Sequence, residues 1–152
     1  MGRCRAAGWA AACDVAPAKG YEGWQPAHFT LAARMDDTVS GETADADGDG
    51  WTNLLEYVTG RDPWREETEP LLTPGMVKEG GASFFVVAYD RRAELIDTVV
   101  LVEHTSDFAA WTTNNVDQAR QVTPAAGGLA RVQAWIPVAE GAAAARLRAF
   151  RP

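Results

Sequence analysis

A chain of 152 residues can bury one ordinary hydrophobic core but is too short for a large multidomain enzyme. Its net charge of −7 argues against sequence-independent binding to nucleic acid, because that binding needs lysine and arginine side chains to neutralise phosphates. The sequence contains no apolar run of about 18 residues, so it predicts no membrane span.

Residues 1–20 are rich in alanine and show no clear period, and we predict a poorly ordered tail there. Both cysteines of the chain, Cys4 and Cys13, lie in this tail. Two cysteines in a tail define no disulfide framework, so the sequence leaves open whether they pair.

Residues 21–63 are predicted to form a helix–loop–helix module. Apolar side chains recur at three- and four-residue intervals from Tyr21 to Met35, which is the spacing of one helix face. Pro26 fits only the first turn of such a helix. The polar, glycine-rich residues 36–50 then predict a loop.

A second helix, of about two turns, is predicted over residues 52–59. Gly60 suits the position just past its C-terminus, and Asp62 followed by Pro63 prevents it from continuing. Acidic residues concentrate in this part of the chain: positions 36–69 hold eleven of them against two arginines, a balance of −9. Such a concentration indicates either a solvated acidic linker or a site that gathers carboxylates around a cation.

The twelve residues 45–56 match the calcium loop of an EF-hand without a gap. Aspartate stands at positions 1, 3 and 5, glycine at position 6 and glutamate at position 12. Alternate residues of a tightly coiled loop can point oxygen atoms at one cation, and Ca²⁺ takes about seven of them. In the predicted Ca²⁺ site, Trp51 supplies its backbone carbonyl, Asn53 an amide oxygen or a bridging water, and Glu56 two oxygens. The predicted metal ligands are Asp45, Asp47, Asp49, Trp51, Asn53 and Glu56.

Asn53 and Glu56 also form the pattern of a capping box, which would start a helix without any metal. A cap needs neither the three alternating aspartates nor Gly50, and four crowded carboxylates would repel one another without a cation. Mg²⁺ suits the loop less well, because it demands stricter octahedral geometry and keeps more of its waters. The pattern therefore favours Ca²⁺.

The calcium site is predicted to be solitary and structural. Position 8 of the loop is Thr52, where paired EF-hands usually carry a branched aliphatic residue, and the sequence has no second loop. Residues 36–44 are too polar for a helix that abuts the loop. We expect the ion to lock the helix at 54–58 against Trp24 and Phe29 rather than to open a groove.

Residues 64–81 hold prolines, glycines and glutamates and are predicted to form an acidic linker. From residue 82 to 152, short runs of β-branched and aromatic residues alternate with turn residues, which predicts a small antiparallel β-sandwich. The chain as a whole is thus predicted to be α+β. The five predicted strands cover residues 83–89, 98–105, 115–123, 129–137 and 144–150.

Catalysis finds little support in the sequence. His104, Ser106 and Asp107 lie close together at a strand end, but this spacing does not build a catalytic triad. A ligand-binding face is the stronger rival, because Trp135 and Arg131 share the side of a strand opposite its apolar face. An exposed Trp135 would stack on a sugar ring or another apolar ligand, whereas a covered one would belong to the core or a module interface.

Residues 44–63 resemble the thrombospondin type 3 and dockerin-like calcium repeats found near the C-termini of large secreted or surface proteins of some bacteria. The similarity rests on the loop, on the Asn-Leu-Leu-Glu-Tyr helix that begins at Asn53 and on the closing Gly-Arg-Asp-Pro at 60–63. Over the longer range of residues 21–151 the sequence similarity is weaker than in the loop. The resemblance implies an extracellular or cell-surface location. A dockerin that binds cohesin would need two such loops, and this chain has one.

We therefore predict a non-catalytic accessory region in which one structural Ca²⁺ ion rigidifies the junction between a helical module and a β-sandwich. The alternative is a carbohydrate- or protein-binding sandwich for which the calcium site is only scaffolding. The partner is then a glycan or a protein at the cell surface, and the sequence does not choose between them.

Overall fold

The computed structural model describes residues 20–152, an α+β fold of four short helices followed by six strands. The combination of helices and antiparallel strands is α+β, as predicted. The predicted tail with Cys4 and Cys13 lies outside the described residues except for Gly20. No helix within residues 20–152 is long and apolar enough to cross a membrane. The helices are α1 (Tyr21–His28), α2 (Leu31–Arg34), α3 (Asp37–Ser40) and α4 (Asn53–Thr59). The strands are β1 (Thr73–Glu79), β2 (Ala82–Arg92), β3 (Val99–Thr105), β4 (Asp117–Pro124), β5 (Leu129–Pro137) and β6 (Ala144–Phe150).

The predicted first helix is divided by an extended residue. α1 ends where Phe29 turns to φ −120° and ψ 136°. Thr30 then caps α2, since its hydroxyl oxygen accepts a hydrogen bond from the N–H of Ala33 at 3.2 Å. Pro26 lies in the second turn of α1 rather than the first, where it cannot donate the N–H that a helix uses, and α1 ends two residues later.

Apolar side chains of α1, α4 and the residue after α1 form the core of the helical part. The rings of Trp24 and Tyr57 lie 5.7 Å apart, and Tyr21 meets Tyr57 edge-on at 5.5 Å. Such aromatic pairs add about 0.5–1.5 kcal/mol each beyond the burial of their surface. α4 thus packs against Trp24 and Phe29. The buried members of this core are Tyr21, Trp24, Phe29, Leu54, Tyr57 and Val58.

The strands form two antiparallel sheets. One sheet has the order β1-β2-β5-β4, and the other pairs β3 with β6. Buried residues alternate with more exposed ones along β5, as its sequence predicts. Both sheets contribute side chains to one core, whose buried members are Val87, Tyr89, Val102, Val132, Ala134, Ile136 and Leu147.

β1 lies inside the segment predicted as a linker. Pro74 and Gly75 argue against a central strand, but β1 is an edge strand, where proline is tolerated. Gly80 and Gly81 adopt φ of 57° and 83° and form the two-residue turn that joins β1 to β2. The glycine pair that indicated a flexible linker is therefore a hairpin turn.

The side chain of Gln118, on β4, connects the two sheets. Its Oε1 accepts a hydrogen bond from the N–H of Val102 at 2.7 Å, and its Nε2 donates to the carbonyl of Val102 at 2.8 Å. Val102 is fully buried on β3. The glutamine amide therefore takes the place of a neighbouring strand along one residue of β3.

We expect Gln118→Ala to lower the free energy of unfolding by about 1–3 kcal/mol, because it leaves the N–H and the carbonyl of Val102 without partners. Chemical denaturation measures this loss. Gln121→Ala, at an exposed position of the same strand, is the control and should change stability by less than about 0.5 kcal/mol. Equal losses in the two variants would contradict a bridging role for Gln118.

Candidate metal centre

The loop between α3 and α4 brings three aspartates together. One carboxylate oxygen from each of Asp45, Asp47 and Asp49 lies within 4.8 Å of the others. Gly48 and Gly50 adopt φ of 82° and 96°, in the left-handed region that residues with a Cβ rarely occupy. The two glycines therefore supply the turns that let alternate side chains point to one centre.

Backbone N–H groups of the loop hold these carboxylates in place. Asp45 accepts from the N–H of Gly48 at 2.7 Å on one oxygen and from the N–H of Gly50 at 2.9 Å on the other. Asp47 accepts from the N–H of Asp49 at 3.1 Å. An ionised carboxylate has about four acceptor sites, so each of these groups keeps lone pairs for a cation.

Asp49 also links the loop to the segment that follows α4. Its Oδ1 accepts from the N–H of Trp51 at 2.8 Å, and its Oδ2 accepts from the N–H of Glu67 at 3.0 Å. The carboxylate of Glu67 in turn pairs with Arg61 at 2.9 Å. The sequence motif ends at position 12 of the loop and carries no signal for this contact, which depends on how the chain folds back after α4.

Glu56, the predicted ligand at position 12, is not part of the group of three aspartates whose oxygens lie within 4.8 Å of one another, but its carboxylate is buried. It is 1% exposed, and neither of its oxygens has a hydrogen-bond partner among residues 20–152. Burial, followed by the charges of Asp47 and Asp49, raises the pKa of Glu56 to about 8. Burial also raises the pKa of Asp47, whose Oδ2 is likewise buried without a partner in the described part of the chain. Buried carboxylates without hydrogen-bond partners repel one another when they are ionised, and a nearby cation would offset that repulsion.

Trp51 and Asn53 complete the predicted ligand set, and they lie in different environments. Trp51 is half-buried, and its N–H binds Asp49. Asn53 is fully buried, and its amide nitrogen donates to the carbonyls of Val39 and Gly41 at 2.9 and 3.0 Å. Its Oδ1 has no partner among the described residues. The sequence did not predict the nitrogen contacts, because they depend on where the residues before the loop lie.

The grouped oxygens of Asp45, Asp47 and Asp49 could together hold a metal ion. No family model, curated protein or solved structure matches the chain. The resemblance to thrombospondin type 3 and dockerin-like repeats therefore stays a prediction from the sequence.

The segment before the loop contains a helical turn that its composition does not predict. α3 spans Asp37–Ser40, and Asp36 caps it: the Oδ1 atom accepts from the N–H of Thr38 at 2.9 Å and from its hydroxyl at 2.6 Å. The polar composition of residues 36–44 indicated a loop, and this prediction is wrong for the four residues of α3. No helix runs directly into Asp45, however, because α3 ends before the loop begins.

Trp135 and Arg131, the candidate ligand contacts on β5, are both engaged within the protein. Arg131 forms a bidentate pair with Asp90 at 2.8 Å for both bonds. Trp135 is half-buried; the Phe84 ring lies 5.3 Å from it, and the guanidinium of Arg120 lies 5.2 Å above its centroid. A sugar ring would have to displace this arginine before it could stack on that face.

His104 and Asp107 bind backbone groups rather than each other. His104 is 3% exposed, and its Nε2 lies 3.1 Å from the carbonyl oxygen of Asn114. Asp107 accepts from backbone N–H groups, first that of Ala110 at 3.0 Å, and these bonds lower its pKa. Ser106 lies between them in the chain and is exposed.

Proposed function

We propose that the loop at residues 45–56 binds one Ca²⁺ ion, which holds the helical module together and fixes it against a small β-sandwich. The observation that carries this proposal is the buried carboxylate of Glu56, which has no hydrogen-bond partner among residues 20–152 and whose pKa is raised by burial and then by the charges of the three loop aspartates. A divalent cation would remove the repulsion among these groups and satisfy their oxygens.

The donor set favours Ca²⁺ over Mg²⁺. The three aspartates each bring one oxygen to a common group. In the proposed site, two oxygens of Glu56 and the carbonyl of Trp51 would join them, and a water or the oxygen of Asn53 would complete a site rich in protein ligands. Ca²⁺ accepts about six to eight such oxygens in flexible geometry, whereas Mg²⁺ keeps several of its waters and requires a near-ideal octahedron. No transition metal is favoured, because the cluster contains no nitrogen or sulfur donor.

The role assigned to the ion is structural. Glu56 lies on α4, and its neighbours Leu54, Tyr57 and Val58 form the core with α1. An ion that fixes Glu56 would therefore also order α4 and the core beneath it. The resulting accessory region would be non-catalytic and would belong to an extracellular or cell-surface bacterial protein, where calcium modules function with dissociation constants of about 10⁻⁴ to 10⁻³ M.

Terbium luminescence tests the site, because Tb³⁺ replaces Ca²⁺ in such loops and Trp51 lies within this one. We expect tryptophan-excited terbium emission that calcium displaces. Asp45→Ala, at a more exposed position, and Glu56→Ala, at the buried one, should each weaken binding at least 100-fold, because each removes a charged ligand. Glu66→Ala is the matched control, since Glu66 is an exposed carboxylate next to the site and outside the loop. Absence of emission, or emission retained in the two loop variants, would refute the site.

A further inference from the structure

The residues that enter the calcium loop are not oriented by a long helix. An ordinary EF-hand places its loop between two helices. Here α3 is a single turn that ends at Ser40, and four residues separate it from Asp45, the first residue of the loop. Gly41 passes so close to α3 that a Cβ there would lie 2.3 Å from the carbonyl oxygen of Asp37. Other contacts must therefore fix the path by which the chain enters the loop.

Buried side chains bind the carbonyl groups at the end of α3. The amide nitrogen of Asn53 donates to the carbonyl of Val39 at 2.9 Å and to that of Gly41 at 3.0 Å. Between these two, the carbonyl of Ser40 accepts from the hydroxyl of Tyr21 at 3.0 Å. Three successive carbonyls are thus held by side chains, and Asn53 holds two of them.

The backbone at the start of α4 binds the same segment. The N–H of Asn53 donates to the carbonyl of Ala44 at 2.8 Å, and the N–H of Leu54 donates to the carbonyl of Glu42 at 3.1 Å. Asn53 is 0% exposed, so water does not compete for these bonds. One residue therefore holds both ends of the segment 39–44 directly before the first predicted ligand.

We propose that Asn53 is a positioning residue of the calcium site, whose two amide hydrogens hold the α3 turn in the place of an entering helix. This inference rests on the calcium site proposed above. Position 9 of an EF-hand loop ordinarily acts through an oxygen, often by way of a water, and both asparagine and aspartate offer one. Only asparagine also offers N–H donors, so exchange for aspartate separates the two roles.

Asn53→Asp is expected to weaken calcium binding at least tenfold in isothermal titration calorimetry and to lower the melting temperature of the calcium-free protein by several degrees. The reason is that Val39 and Gly41 lose their donors while a possible ligand oxygen is kept. Asn53→Ala, which adds no charge, should also weaken calcium binding and lower the melting temperature. Binding by Asn53→Asp as tight as that of the unaltered protein, or tighter, would overturn the proposal.

Thr52→Asp controls for the added charge, because it places the same charge on the adjacent residue, whose side chain makes no capping hydrogen bond. It is expected to change binding and melting temperature much less than Asn53→Asp does. Losses of the same size in Thr52→Asp and Asn53→Asp would assign the effect to charge repulsion and would overturn the positioning role.

A measurement on the unaltered protein keeps the proposal testable where the variants fail to fold. By NMR, the side-chain amide hydrogens of Asn53 are expected to exchange with solvent at least 100-fold more slowly than those of Asn114, which is exposed. Equal exchange rates would overturn the proposal. If the protein binds no calcium and the Asn53 amide hydrogens still exchange slowly, the calcium site is refuted while Asn53 is still shown to hold the α3 turn. The two failures are therefore distinguishable.

Discussion

The calcium-free protein is expected to lose stability as the pH rises from about 5 to about 8. Burial and the neighbouring aspartates raise the pKa of Glu56 from 4.5 to about 8 in the folded chain. The folded state therefore holds a proton that the unfolded state releases, which stabilises the fold at low pH and is lost as the pH passes through about 8. The loss is on the order of 2–4 kcal/mol, since each unit of pKa shift corresponds to about 1.4 kcal/mol.

Calcium is expected to reverse this loss, because the cation takes the place of the proton and binds best to the ionised carboxylate. At a calcium concentration 100 times the dissociation constant, binding adds about 2.7 kcal/mol to the free energy of unfolding. Urea denaturation at pH 5, 6.5 and 8, with calcium and with a chelator, measures both effects. The difference between the two conditions should grow with pH.

Glu56→Gln is the control for this pH dependence, because it keeps the shape of the side chain and removes the titrating group. The variant should show a flatter dependence of stability on pH and little stabilisation by calcium. If the calcium-free variant lost as much stability between pH 5 and 8 as the unaltered protein, Glu56 would not be the group responsible.

The grouping of the three loop aspartates was predictable because it depends on residues that lie close together in the chain. The motif specifies which residue type stands at each ligand position of the loop. Gly50 stands where the turn requires a left-handed backbone conformation. The contacts that hold the loop in place were not predictable, since they join distant parts of the chain. The amide of Asn53 binds Val39, and the N–H of Glu67 binds Asp49.

The positions of most strands were also predictable from local sequence. Which strands lie side by side in the sheets was not. Alternation of buried and exposed residues along β5 follows from its own sequence. In the order β1-β2-β5-β4, the central pair β2 and β5 is far apart in the chain, and no residue in β5 specifies β2 as its neighbour. β1 was missed because Pro74 and the glycine pair are also typical of linkers, and only its place at the sheet edge makes a strand compatible with them.

Two arginines join the helical module to the strands. Arg92, at the end of β2, donates from Nε to the carbonyl of Tyr57 at 2.6 Å and lies 5.2 Å from the centroid of that ring. Arg151, just after β6, binds Glu42 at 2.8 Å and lies 3.3 Å from Asp97. Hydrogen bonds that involve a charged group contribute about 1.5–3 kcal/mol each when they are shielded from water. The Arg151–Glu42 pair contributes less, because its side chains are 26% and 39% exposed. These contacts connect α4 and the segment that enters the loop to the two sheets.

Calcium is expected to protect the strands as well as α4 from hydrogen–deuterium exchange, and the double variant Arg92→Ala/Arg151→Ala is expected to confine that protection to the helical module. In the unaltered protein, calcium at 100 times its dissociation constant should slow exchange in peptides from α4, β2 and β6 by up to about 100-fold, since exchange there follows a shared unfolding step. In the double variant, the strand peptides should change by less than about threefold.

Arg65→Ala is the matched control, because Arg65 is an exposed arginine near the loop, and the protection of the strands should persist in it. Strands that calcium still protects in the double variant would show that the two parts unfold together without these arginines. The shared apolar contacts between them, such as Val100 and Ala149 against the helical core, would then carry the coupling. Loss of strand protection in the double variant alone would instead assign it to the two guanidinium groups, because the cores of both parts are unchanged in that variant.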